Sequence, residues 1–376
     1  MTIFCETTLK RKESVKYIIQ KNMIISFVNR NCKIQNDTRI YINAQHRNIS
    51  IQEIKKMKDI ILRSNNDVII VLKNYNKSYL DTIRNLIKMS KKEKHVVLDS
   101  ENESEYSDIQ YLINDNSNIV VSIKNEKEFN YHFKKANNKI FFSIDYNILL
   151  NKLPKLKANK NYNIILKISD LSKCSVDTIL SIGKDIRLYG IEVKWSNIKG
   201  SCMRHLYSVS EYINILTKLN SFSKNIDKYK SEYYKFIQAY YLIGRNIQFD
   251  FDDDGEPSRI SDSHSLRGGV LKGKAVCEGY SESLSQLLNI LNIENKCVTG
   301  VDRNCSNGSM HVWNQVKING NWYNCDITND SVNIRENRQV DMCLLSDKDF
   351  FLYKAISDNA EVCEKTWNCL DYDIER

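Results

Sequence analysis

Proline is nearly absent from this sequence. Its 376 residues hold two, Pro154 and Pro257, so a Pro-rich linker is not indicated. With 42% hydrophobic and 27% charged residues the composition is that of a folded globular protein, not of a disordered chain. Long apolar runs are missing too. Met23-Ile-Ile-Ser-Phe-Val28 falls far short of the ~20 residues that a membrane-spanning helix needs. The opening residues, Met1 to Glu13, include an acid and lack the sustained apolar core of a secretory signal, so a cytoplasmic protein is expected. Cysteine is present, at 5, 32, 174, 202, 277, 297, 305, 325, 343, 363 and 369, but no pair has C-x-x-C spacing and the count of eleven is odd. That pattern argues against a disulfide framework and against a zinc or redox motif, and reduced thiols in a reducing compartment are expected. The first half also lacks Gly-x-Gly-x-x-Gly and any P-loop, so no motif points to a nucleotide.

The length suggests two domains, and charge divides the chain in the same way. Residues 1–200 hold 35 Lys and Arg against 21 Asp and Glu, a net +14, whereas residues 201–376 hold 20 against 25, a net −5. The lysines of the first half are scattered among asparagines and form no stripe with interleaved aromatics, so a solvated surface is expected and a nucleic-acid partner is not.

From about Arg39 short β-branched runs alternate with helical segments. The runs Ile40–Ala44, Val68–Lys73, His95–Asp99, Ile119–Lys124, Ile140–Asp145, Tyr162–Ile168 and Gly190–Trp195 read as strands. Between them lie amphipathic stretches such as Ser50 to Leu62, which opens with a capping box, and Tyr79 to Ile87. Strand and helix alternating in this way predict an α/β domain of βα units with a mainly parallel sheet, and the nearly all-apolar strands predict cover on both faces. Whether such a sheet stays open or closes into an incomplete barrel leaves little trace in sequence.

Residues 201–248 read as helices leading into the second part. Asp250-Phe-Asp-Asp-Asp-Gly-Glu-Pro257 imitates the opening of a calcium loop, but the twelfth position is Ser261 instead of a bidentate Glu and Pro257 interrupts it. A solvated acidic turn without metal is expected. Asp341–Arg376, with Leu344, Leu345, Phe350, Phe351 and Tyr353, reads as a closing helix and tail.

Between these lies the chemistry. Ala-Val-Cys277-Glu-Gly-Tyr280 opens a segment in which Tyr280, Leu284, Leu287, Leu288 and Leu291 share one helical face. Cys277 therefore stands at a helix start, where unpaired N–H groups and the positive dipole end favour a thiolate. Its own backbone N–H is the expected oxyanion donor, and Gly279 allows a close approach. Further on, Met310-His311-Val-Trp313-Asn-Gln-Val-Lys-Ile318 and Asn321-Trp-Tyr-Asn-Cys-Asp326-Ile-Thr328 flank Asn319-Gly320, the strongest short hairpin signal. A two-residue loop pairs Ile318 with Asn321, sets Trp313 opposite Asp326 and His311 opposite Thr328, and puts His311 and Asp326 on one face as diagonal neighbours. Val312, Val316, Ile318, Tyr323 and Ile327 then form the core face, and the His311/Asp326 face is expected to stay available for chemistry. A cysteine at a helix start with a histidine oriented by a carboxylate is the recipe for an activated thiol nucleophile. Trp313 is expected to pack beside the site, Asn314 to secure a strand edge, and His264, just upstream, to line the cleft or a polar loop.

The order Cys, His, Asp and the wording around each resembles the transglutaminase-like (transglutaminase/protease) superfamily, whose motifs read roughly Val-Cys-x-Gly-Tyr, His-x-Trp-Asn-x-Val and Trp-Tyr-x-x-Asp-x-Thr. The resemblance covers about 60 residues and extends more weakly to Tyr233–Asp250, which is similar to the helix before the family's catalytic loop. It implies a papain-like α+β domain with Cys277 as nucleophile, His311 as base and acid, and Asp326 orienting it. Gly279, Trp313 and His264 are carried as cleft residues. The chain departs at Asn329-Asp330, where many bacterial members have Trp-Asp, and this bears on the shape of the cleft. The expected function is acyl transfer from an amide, first as hydrolysis of a peptide or related amide, with a peptide or protein as substrate partner and with no cofactor and no metal. Cross-linking by transglutamination is the alternative, and a binding module without turnover is the competing class. The expected domains are 1–200 and 201–376, and nothing in the sequence speaks to oligomeric state.

Overall fold

The fold is that of a computed structural model. It describes residues 2–3, 17–20, 23–26, 40–44, 68–72, 80–88, 96–100, 103–113, 119–135, 141–157, 163–168, 175–198, 201–229, 231–258, 260–302, 310–350, 353–355 and 360–367. The chain divides into two compact units. Met1–Ser169, Asp177–Val193 and Leu206–Val209 form the first, and Asp170–Val176, Lys194–His205 and Ser210–Arg376 the second.

In the first unit Thr2–Ile3 (β1), Tyr17–Gln20 (β2) and Met23–Ser26 (β3) make a small sheet in the order β1-β3-β2. The parallel sheet predicted from the alternation is present. Ile40–Ala44 (β4), Val68–Leu72 (β5), Val96–Ser100 (β6), Ile119–Ile123 (β7), Phe141–Asp145 (β8), Asn163–Ile168 (β9) and Leu188–Ile198 (β10) lie side by side in chain order. Each is parallel to the next. Parallel strands need crossovers, and helices such as Leu80–Lys88, Glu126–Lys135 and Val176–Asp185 supply them. Their apolar stripes are buried at Ile83 and Ile87, at Phe129, and at Ile179 and Ile182. β7 is buried at every position, as a strand covered on both faces must be. The helix expected over 50–62 lies outside the described residues.

The second unit contains an antiparallel sheet. Asn295–Asp302 (β14), Met310–Ile318 (β15), Asn321–Cys325 (β16) and Tyr353–Ala355 (β17) stand in the order β16-β15-β14-β17, following Ser201–Tyr207 (β11) and the short parallel pair Gln248–Phe249 (β12) and Lys274–Ala275 (β13) in the chain. Helix Cys277–Ile290 packs on this sheet, with helices Glu232–Asn246 and Ile327–Arg335 beside it. Its predicted face, Tyr280, Leu284, Leu287, Leu288 and Leu291, is buried. The opposite positions Ser281, Glu282, Ser283 and Gln286 are buried as well, so the helix is covered all round and is not a surface amphipath. Small hydroxyl residues permit this, because Ser283 Oγ donates back to Gly279 O at 2.6 Å and Ser281 Oγ donates to Val312 O at 3.1 Å.

Two expectations need correcting. Among the described residues of 341–367 there is no closing helix. Leu345 instead exchanges both backbone hydrogen bonds with Asn324 at 2.8 and 2.9 Å, and Met342, Leu345, Phe350 and Tyr353 lie on the Trp313 side of the sheet together with Val298. Backbone groups satisfied by a sheet edge have no need of a helix. This segment also covers the His311 face, so both faces of the hairpin are packed: Trp313 is 2% exposed and Gln315 1%.

Candidate active site

Cys277 is the first residue of its helix, and the N-cap is Val276, in extended conformation. A valine has no side-chain acceptor, and no side chain caps this end. The first-turn N–H groups are therefore left for another partner. The approach to Cys277 is held by the backbone: Asp250 N donates to Ala275 O at 3.0 Å and Val276 N to Ser263 O at 2.9 Å. Cys277 is partly exposed and packs against buried Cys297 and Val312.

The hairpin turns at Asn319 (φ 48°) and Gly320 (φ 82°), as a type I′ turn requires. Pairing runs from Ile318 opposite Asn321 to Asn314 opposite Cys325 and then stops, because Asp326 leaves the strand to become the N-cap of helix Ile327–Arg335. Thr328 lies inside that helix, so His311 is not opposite it; His311 pairs with Gly300 of β14. Aspartate is among the preferred capping residues, and that local preference ends the strand before the expected register is complete. The side chains meet nonetheless. His311 Nε2 lies 2.7 Å from Asp326 Oδ2. The wholly buried Asp326 also accepts from Thr328 N at 3.1 Å and Asn329 N at 3.3 Å on Oδ1, and from Asn329 Nδ2 at 2.7 Å on Oδ2. Burial alone would lower the pKa of His311, but the Asp326 carboxylate, and then Cys277 beside the ring, raise it well above the ordinary histidine value.

Cysteine, histidine and aspartate thus converge from a helix start, a central strand and a helix cap. Residues 220–327 match the family model of the transglutaminase-like superfamily. The match takes in all three residues of this transglutaminase-like region. Among solved structures, a TGase matches with 17% identity over 32% of this chain and 32% of that one, TM-score 0.28. A candidate cysteine protease from Cytophaga hutchinsonii matches with 16% identity over 40% and 54%, TM-score 0.26. A candidate protease from Parabacteroides distasonis ATCC 8503 matches with 9% identity over 36% and 40%, TM-score 0.23. The chain spans from about a third to about half of the length of these structures. No curated protein matches it.

The remaining candidate residues stand around Cys277, His311 and Asp326 in different ways. Trp313 is buried behind His311, ring centroids 6.4 Å apart, and its Nε1 donates to Asn324 Oδ1 at 3.1 Å. With Gln315, Asp347, Phe350 and Tyr353 it lines a cavity of about 200 Å³. Asn314 secures no edge, since β15 is an interior strand; its Nδ2 donates to Ser281 O at 2.9 Å and docks helix Cys277–Ile290 on the sheet. Gly279 meets the loop before the helix: a Cβ there would stand 2.6 Å from Ser263 O. His264 bonds Glu278, 2.7 Å away. Sequence reasoning missed Tyr353, whose ring stacks on His311 at 4.3 Å, and Asn329, which bridges Asp326 to the Tyr353 hydroxyl. The only signal for Asn329 was its departure from the family wording.

Proposed function

We propose that Cys277, His311 and Asp326 form a catalytic triad that hydrolyses an amide bond of a peptide or protein substrate in the cytoplasm, in a papain-like second domain. What carries the reading is the His311–Asp326 contact of 2.7 Å on a ring whose neighbour is Cys277 at a helix start that no side chain caps. Sγ of Cys277 attacks the amide carbonyl and His311 protonates the leaving nitrogen as the C–N bond breaks, leaving a thioester. Water then attacks, His311 takes its proton, and the C–S bond breaks to return the thiol and release the acid. The N–H of Cys277 stabilises the oxyanion at both steps. An amine in place of water would give transglutamination, and incorporation of a labelled primary amine into a protein substrate distinguishes the two.

Iodoacetamide labelling with peptide mapping tests the triad without a known substrate. Among the described cysteines Cys297, Cys325 and Cys363 are buried, and burial first of all pushes Cys297, Cys343 and Cys363 up in pKa. Cys277 is expected to label first. His311→Ala is expected to slow it by about tenfold or more, because the imidazolium that favours the thiolate is gone, and Asp326→Asn to slow it less. Labelling of Cys277 no faster than Cys343, or equally fast without His311, would hand the fold to the binding-module reading.

A further inference from the structure

A second histidine–carboxylate pair stands beside the nucleophile and has no part in the acyl-transfer scheme. His264 ends the short turn Ser261–His264. Its Nδ1 lies 2.7 Å from Glu278 Oε2 and its Nε2 lies 3.0 Å from the backbone carbonyl of Ser258. A carbonyl oxygen and an ionised carboxylate both only accept, so a ring bonded to the two must donate from both nitrogens. That is an imidazolium. A neutral ring would turn a lone pair toward an acceptor oxygen.

Glu278 follows Cys277 directly and its side chain is 13% exposed. Its Oε1 faces His205 Nε2 of β11 at 3.6 Å, and the wholly buried Glu282, 4.0 Å from the same nitrogen, accepts from Leu266 N at 3.0 Å. The loop's acid is engaged elsewhere, since Asp262 pairs with Arg267 and Lys272, and Asp250, outside the loop, accepts from Ser263. The loop also grips the nucleophile segment through Val276 N to Ser263 O, and through Gly279, where a Cβ would approach Ser263 O and Ser265 O. Contacts therefore reach Cys277 from both sides in sequence.

We propose that His264 is a positioning residue whose ring, donating from both nitrogens, pins the 260–266 loop to Glu278 and so fixes the backbone on both sides of Cys277. The proposal rests on Cys277 being the nucleophile. Burial by itself would lower the pKa of His264, yet Glu278 and the Ser258 carbonyl hold it above the ordinary value. Glu278 would be raised by burial, and His205 and His264 bring it down to about 2.

The full chain, labelled with 15N-histidine, gives the direct test. Long-range proton–nitrogen correlation spectra, with His264 assigned by its loss in His264→Asn, are expected to show both His264 nitrogens protonated at pH 7 and still so above the ordinary histidine pKa. Glu278→Gln is expected to shift its titration down and to slow Cys277 labelling by about tenfold, short of the ~10²-fold that a 1 Å misplacement can cost. His264→Arg keeps the charge and more than one donor and is expected to restore labelling that His264→Asn loses. A neutral His264 in the wild-type spectrum at pH 7 overturns the proposal whatever the variants do to labelling. So does unchanged labelling in Glu278→Gln while His311→Ala still slows it, an outcome that leaves the triad standing. Unchanged labelling in His311→Ala fails the triad, and the positioning role falls with it.

Discussion

Asp326 uses one carboxylate for two tasks, capping a helix with Oδ1 and holding His311 with Oδ2. With four donors on it the group is satisfied although it is wholly buried. Nearby residues set opposite pH limits on the fold. Glu278 is depressed from 4.5 to about 2, so its contribution to stability is present above pH 4.5 and is lost as pH falls through about 2. His264 and His311 are raised above 6.5, so theirs are fully present below 6.5 and are lost as pH rises through the folded values. Thermal melts should show the gap between wild type and Glu278→Gln widest above pH 4.5 and shrinking toward pH 2. A gap that stays constant across that range would contradict the assignment. At this scale Cys277, His311 and Asp326 were legible, because each sits in a short run of characteristic neighbours. Glu278 with His264 was not: the pair exists only because the chain between them folds back, and no periodicity records that. Tyr353 reaches His311 from a strand whose partner is β14, which is equally silent in sequence.

The hairpin was legible as an element because positive φ at Asn319 and Gly320 is a steric demand that the residues themselves announce. What stayed hidden was where its second strand ends, since a capping aspartate and a strand aspartate look alike until the helix after it is placed. Gly320 has open space around it, so a side chain there is opposed by backbone conformation alone. Gly320→Val is expected to cost at least ~1 kcal/mol, measured by urea unfolding, and to slow Cys277 labelling by loosening the register that delivers His311 toward Asp326. Unchanged stability would mean that the turn is not type I′. The all-round burial of helix Cys277–Ile290 was missed for a related reason. Serines and a glutamate read as a wet face, and only their bonds to Val312 O, Gly279 O and Leu266 N show them packed.

For the molecule as a whole, the parallel sheet was legible in its alternation and strand composition, while closure or openness was not, being a property of strand tilt. We propose 1–200 and 201–376 as domains, on the charge split and on the change from parallel to antiparallel sheet. Limited proteolysis near residues 200–230 is expected to leave a C-terminal fragment that unfolds cooperatively. A single transition shared by both halves, with no stable fragment, would refute that division. The sheet order β16-β15-β14-β17 has a consequence in time. His311 sits on β15, a strand hydrogen-bonded on both sides, and the ring lies under Tyr353 from the far end of the chain. Long-range pairings of this kind form slowly. During synthesis, therefore, Cys277 appears before the strand and the ring that seat His311, and the proposed triad can assemble only once Tyr353 has followed.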